Sequence, residues 1–104
     1  MNQTVKPCPV EAAIQIIGGK WKLLVLRSLL LNGPQRYNEL LGTVTAISQK
    51  ELTRNLRELA EAGLLTRDAA ARRTAQYELT KLGKGLLPTF KSLLDWGGHL
   101  LPSQ

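Results

Sequence analysis

A mainly α-helical domain carrying one small β-hairpin is the fold class this sequence predicts, and three observations predict it. Apolar residues recur at helical spacing as far as Gly63. The period then changes to two across Leu64 to Arg67 and Gln76 to Thr80, the mark of paired strands. From Thr80 onward helical spacing returns through Leu82, Leu86, Leu87, Phe90, Leu93 and Leu94. At 104 residues the chain is long enough for one core, so residues 1–104 read as a single domain, with 1–7 as a flexible N-terminal arm.

Each element has its own local cause. Pro9 at a first helical position, with Glu11 just beyond, starts a helix whose apolar stripe is Val10, Ala13, Ile14 and Ile17. Gly18-Gly19 ends it. A second helix from about Lys20 to Leu31 is apolar almost all round, through Trp21, Leu23, Leu24, Val25, Leu26, Leu29 and Leu30, which predicts burial between other elements. Asn32-Gly33-Pro34 closes it. Gln35-Arg36-Tyr37 reads as a short extended segment. Asn38 is the expected cap of a third short helix with Leu40, Leu41 and Val44 facing inward, and Thr45-Ala46 is the turn out of it.

The fourth helix, Ser48 to Ala62, is the most informative stretch. Ser48 and Glu51 have the spacing of a capping box, and Ile47 with Leu52 that of a hydrophobic staple. Leu52, Leu56 and Leu59 form the buried face, and Gly63 supplies the left-handed stop. The opposite face gathers Gln49, Lys50, Thr53, Arg54 and Arg57 in its first turns, while the acids Glu58 and Glu61 lie toward the far end. Amide, hydroxyl and cationic donors on one exposed stripe are what a helix reading the DNA major groove needs. The plainer alternative is a solvated face with Arg54–Glu58 and Arg57–Glu61 as i,i+4 pairs.

After this helix come two short strands with Tyr77 and Leu79 on one face, joined by Asp68 to Ala75, a small-residue loop holding Arg72 and Arg73. The last helix is expected over 81–100, with Thr80 as its cap and a kink or restart at Pro88, which has no N–H to bond back to Lys84. Helix, turn, helix and hairpin in this order make a winged helix-turn-helix.

Net charge of +6 favours a polyanionic partner, nucleic acid or an anionic membrane surface. No apolar run approaches the roughly 18 residues of a membrane span. The N-terminus has no apolar secretion signal and a single cysteine cannot form an internal disulfide, so a reducing cytoplasm is the expected setting. No nucleophile–base pair, glycine-rich phosphate loop or metal-ligand cluster is legible. His99 reads as a solvated side chain, and neither enzyme activity nor a cofactor or metal is expected.

The sequence resembles the HxlR-type family of bacterial winged-helix transcriptional regulators. The resemblance runs from Cys8 to about Gly97 and rests on Cys8-Pro9-Val10-Glu11, Ile17-Gly18-Gly19-Lys20-Trp21-Lys22, Gly33-Pro34 and Arg36-Tyr37-Asn38-Glu39-Leu40. It continues through Ile47-Ser48-Gln49-Lys50, Leu52-Thr53, Leu56-Arg57-Glu58-Leu59 and Gly63-Leu64, and ends with Tyr77-Glu78-Leu79-Thr80, Gly83 and Trp96-Gly97. It implies homodimers on operator DNA, joined through the first and last helices, with Ser48, Gln49, Lys50, Thr53, Arg54 and Arg57 as DNA contacts and Arg72 and Arg73 added by their position in the wing. The wing departs from the family pattern: Ala69-Ala70-Ala71-Arg72-Arg73 stands where relatives usually carry prolines and an aromatic residue.

Some relatives sense oxidants or electrophiles through a cysteine at the place of Cys8. A thiol at a helix start near Lys6 is a reasonable sensor, as a helix N-terminus favours the thiolate. The excess apolar surface of the first and last helices, in Val10, Ile14, Ile17, Leu86, Phe90, Leu93 and Leu94, marks the expected dimer contact. The reading is therefore a homodimeric DNA-binding regulator on an inverted repeat, possible thiol input included. The alternative is a winged-helix module that binds protein without specific DNA.

Overall fold

The computed structural model describes residues 8–68 and 74–102. Helix α1, Pro9–Ile17, starts where Pro9 presets the backbone, with Cys8 extended ahead of it at φ −65° and ψ 131°. At its end the Gly18 N–H donates to the Ile14 carbonyl at 2.6 Å. A Cβ on Gly18 would lie 2.4 Å from that same oxygen, and Gly19 follows at φ 94°, so both positions need glycine. Helix α2, Lys22–Asn32, begins two residues later than the spacing predicts, with Trp21 at its N-cap. Val25, Leu26, Ser28 and Leu29 are buried, but Leu24 and Leu31 are exposed. The expected burial all round is thus corrected: α3, α4 and the sheet cover one side of α2 and leave the other open.

Strand β1, Gln35–Arg36, leads directly into α3, Tyr37–Thr43. The cap is Arg36 and not Asn38, because the Glu39 carboxylate accepts from the Arg36 backbone N–H at 2.8 Å and the helix starts two residues early, at Tyr37. The turn to the next helix contains Ala46 at φ 69°, a left-handed position occupied without glycine. Helix α4, Gln49–Glu61, is capped by the Ser48 hydroxyl, which accepts from the Glu51 N–H at 3.1 Å. The return arm of the capping box is replaced, since the Glu51 carboxylate turns outward to Arg54. At the far end Gly63, φ 83°, donates to the Ala60 carbonyl and Leu64 to that of Leu59, the two bonds of a Schellman stop.

Strands β2, Leu65–Arg67, and β3, Gln76–Leu79, pair antiparallel with Leu65 opposite Leu79 and Arg67 opposite Tyr77. The expected hairpin proves to be part of a three-stranded sheet, order β1-β3-β2, because Gln35 pairs with Tyr77 and Arg36 with Gln76. Alternation along β3 buries Tyr77 and Leu79 and exposes Gln76 and Glu78. The single last helix expected over 81–100 is two: α5, Lys81–Lys84, capped by Thr80, and α6, Leu87–Gly98. Pro88 sits in the first turn of α6, where its missing N–H costs nothing, so the proline marks a restart.

The core joins Val25, Leu26 and Leu29 of α2 to Leu40 of α3, Leu52, Leu56 and Leu59 of α4, and Leu65, Tyr77 and Leu79 of the sheet. One polar group of three side chains lies at its edge, with Ser28 and Gln35 buried and Thr43 exposed. Gln35, buried, donates through Nε2 to the Ser28 carbonyl at 3.0 Å and hydroxyl at 2.8 Å, while Thr43 donates to Gln35 Oε1 at 3.2 Å and lies 2.7 Å from the Ser28 hydroxyl. Satisfied in this way, the amide costs little to bury and ties β1 to α2 and α3 in one register.

Two glycines offer a matched stability test. A Cβ at Gly83 would lie 2.2 Å from the Leu64 carbonyl oxygen, a backbone atom that cannot swing aside. Gly83→Ala is expected to destabilise by about 1–3 kcal/mol, as overpacking does. At Gly97, within α6, an added Cβ meets nothing within 4 Å. Gly97→Ala should stabilise by up to about 1 kcal/mol through helix propensity. Opposite shifts in thermal midpoint check both; a neutral Gly83→Ala would mean that α5 is free to shift against β2.

Candidate nucleic-acid interface

The site is built on α4. Its leucine row turns Leu52, Leu56 and Leu59 into the core, which leaves Gln49, Lys50, Thr53, Arg54 and Arg57 on the opposite side. These five side chains line one shallow, open concavity of about 430 Å³. The structure therefore brings together the stripe expected from helical spacing, and Ser48 stands exposed at its N-terminal end.

Framework bonds fix how the stripe is presented. Tyr37 of α3, buried, donates its hydroxyl to the Gln49 carbonyl at 3.0 Å. With that proton committed, the 2.9 Å contact between Tyr37 Oη and Thr53 Oγ1 has Thr53 as donor. Thr53 is thus partly engaged in holding α4 to α3, while its lone pairs remain outward. Asn55, buried beneath the stripe, donates to the Glu51 carbonyl at 2.7 Å, one turn back along the helix.

The cations differ in how they are held. Lys50 has no ion-pair partner among the described residues. Arg57 approaches Glu61 only at 4.0 Å, and both side chains are well exposed, so that pair contributes little. Arg54 is gripped on two sides: its Nη2 lies 3.1 Å from Glu51 Oε2 and its Nη1 3.4 Å from Glu58 Oε1. The same Glu58 oxygen takes the Lys22 ammonium of α2 at 2.6 Å. The hydrogen bond from that ammonium, with the nearby charges of Lys22, Arg54 and Arg57, holds the Glu58 carboxyl below the usual carboxylate range despite the opposing effect of desolvation.

Lys22, Tyr37 and Arg36 escaped sequence reasoning. Lys22 carried only a weak signal, a cation at the head of a mostly apolar helix. Arg36 donates to the Thr74 carbonyl and so pins the base of the wing to β1. Arg72 and Arg73 lie outside the described residues, as does the arm 1–7.

The remaining candidates fall away from α4. Cys8 is exposed at the N-cap of α1, and the backbone N–H groups of Glu11, then Val10, draw its thiol below the ordinary cysteine range, slightly opposed by burial. Val10, Ile14, Leu93 and Leu94 are exposed, and neither α1 nor α6 has a buried residue. Ile17 and Leu86 differ from them, being packed partly against the core, and Phe90 is half-buried. His99 is exposed at the C-cap of α6. Among the described residues no group of three His, Cys, Asp or Glu could hold a metal ion, and no helix is long and apolar enough to cross a membrane.

Comparison with known proteins agrees with this architecture. YkvN of Bacillus subtilis (strain 168), an HTH-type transcriptional regulator, is 42% identical over 94 residues, which cover 88% of this chain and 79% of that protein. Among solved structures, the redox regulator HypR in its oxidised form gives a TM-score of 0.79 at 33% identity, covering 92% of this chain and 100% of that one. Quinone-bound YodB from B. subtilis gives 0.76 at 31% identity, covering 88% and 99%. These relatives are regulators and not enzymes. The family model described as HxlR-like helix-turn-helix matches residues 16–104, and the chain belongs to that family of winged-helix transcriptional regulators.

Proposed function

We propose that this regulator acts in the cytoplasm as a homodimer on double-stranded DNA, reading an inverted-repeat operator with α4 in the major groove. The observation that carries the reading is the single open concavity shared by Gln49, Lys50, Thr53, Arg54 and Arg57. Gln49 and Arg54 take the base edges, since glutamine pairs bidentately with adenine and arginine with guanine. Ser48, Lys50, Thr53 and Arg57 hold phosphates beside them, and Arg72 and Arg73 of the wing grip the backbone or a narrow minor groove.

Dimerisation follows from the apolar surface of α1 and α6. Val10, Ile14, Leu93 and Leu94 lie bare in the single chain, at 64, 59, 41 and 62% exposure. A two-fold contact between these helices covers them, with Phe90 and the outer parts of Ile17 and Leu86 at its margin, and sets two α4 helices on successive major grooves. Cys8 supplies the input: HypR is a redox regulator and YodB has been solved with bound quinone, and the thiolate favoured at the head of α1 is the form that reacts with oxidants and quinones.

Each part has its own test. A duplex selected from a random-sequence pool should bind with an affinity that falls steeply with salt. Arg54→Ala should weaken that duplex by about 1–3 kcal/mol while leaving a scrambled duplex nearly unchanged. Equal loss on both would move Arg54 to the phosphate class, and failure to select any duplex would favour a protein-binding module. Light scattering at micromolar concentration should give the mass of two chains, and Leu94→Asp the mass of one; a one-chain mass for the unaltered protein sinks the dimer. Alkylation of Cys8 should rise with pH about a midpoint below that of a free cysteine, since a thiol of lowered pKa is already ionised there. Diamide should change DNA affinity in the unaltered protein and not in Cys8→Ser.

A further inference from the structure

Arg54 cannot reach a base edge without leaving its carboxylates. Glu51 and Glu58 stand on either side of it, at 3.1 and 3.4 Å, each an alternative to guanine as a partner. Glu58, however, is shared. Its Oε1 meets Lys22 at 2.6 Å, and the Lys22 side chain is only 15% exposed, whereas that of Arg54 is 42% exposed. The shorter, more sheltered bond is the stronger, because screening by water is least there. Four charges therefore form one row, Glu51, Arg54, Glu58 and Lys22, running from the outer face of α4 to the first turn of α2.

We propose that Lys22 is a positioning residue for base reading: by drawing Glu58 toward α2, it keeps Arg54 from being locked between two carboxylates and leaves its guanidinium free to turn to DNA. The inference rests on the reading of α4 as the DNA-reading helix. Lys22 opens α2 three residues after Gly19. Without Lys22, Glu58 closes on Arg54, and two ion pairs instead of one and a weak second must be broken for each guanine contact.

The test compares affinity for a duplex selected by the unaltered protein with affinity for a scrambled duplex of the same composition. Lys22→Met should lose roughly fivefold more on the selected duplex, the size of one partly exposed ion pair. Lys22→Arg should stay near the unaltered protein. Lys84→Met, which removes the same charge from another helix, should lower both affinities alike. The charge-balanced pair Lys22→Met with Glu58→Gln should restore the ratio, and Glu58→Gln alone should hold or raise it. An equal loss on both duplexes for Lys22→Met, or a pair that stays as poor as Lys22→Met, overturns the proposal. A readout without DNA separates it from the proposed function: rotation of the Arg54 guanidinium about Nε–Cζ, followed by ¹⁵N NMR, should slow in Lys22→Met. Unchanged rotation overturns the clamp, while slowed rotation in a protein that selects no duplex refutes the DNA reading alone.

Discussion

Leu52, Leu56 and Leu59 seat α4 against α2 and the sheet, and the placement of every other element answers to that contact. Burying those three side chains removes enough apolar surface from water to contribute several kcal/mol, about 1.5–3 for each. A helix whose opposite face is polar can bury only one stripe, so α4 has to lie at the edge of the molecule with that polar face outward. The core beneath it is then assembled from α2, α3 and the sheet. Tyr37 secures the rotation of α4 about its own axis, because its hydroxyl reaches both the Gln49 carbonyl and Thr53. A small rotation would trade leucine for arginine at the core; the hydroxyl contacts and the leucine row resist it together.

The outer face of α4 combines fixed and mobile groups. Thr53 is held by the framework, Arg54 by carboxylates, while Lys50 is exposed with no ion-pair partner among the described residues. Such a gradation suits a surface that must first meet a phosphate chain of any sequence and then discriminate among bases. In the proposed function the exposed Lys50 would serve the first task. Arg54 would serve the second once its guanidinium leaves Glu51 and Glu58, a step eased by the hold of Lys22 on Glu58.

Sequence periodicity made the helices, the two main strands and the exposed stripe of α4 legible, because burial imposes a spacing that can be counted. What it missed had causes outside that spacing. The short extended segment at Gln35–Arg36 was legible, but its pairing with β3 beside the Gln35 amide bonded to Ser28 and Thr43 is a tertiary event without a local signature. Asn38 is a better cap residue than Arg36, yet the Glu39 carboxylate decided the start of α3 by bonding the Arg36 N–H. The Arg54–Glu58 pair was visible as an i,i+4 spacing, whereas Lys22, which competes for the same oxygen, lies far away in sequence. The open side of α2 was hidden for a simpler reason: apolar composition does not say how many neighbours a small domain can supply.

Helix α1 is nine residues long and has no fully buried residue of its own. A peptide of that length does not hold helical form in water unaided. Its order must therefore be borrowed, in part from Ile17 against the core and in part from whatever covers Val10 and Ile14. The acidity of Cys8 comes from the Glu11 and Val10 N–H groups, which converge on the thiol only while α1 is wound. In the proposed dimer, chemical reactivity and assembly would be linked: an α1 left uncovered and unwound loses both N–H groups, and the Cys8 thiol returns toward the ordinary cysteine range.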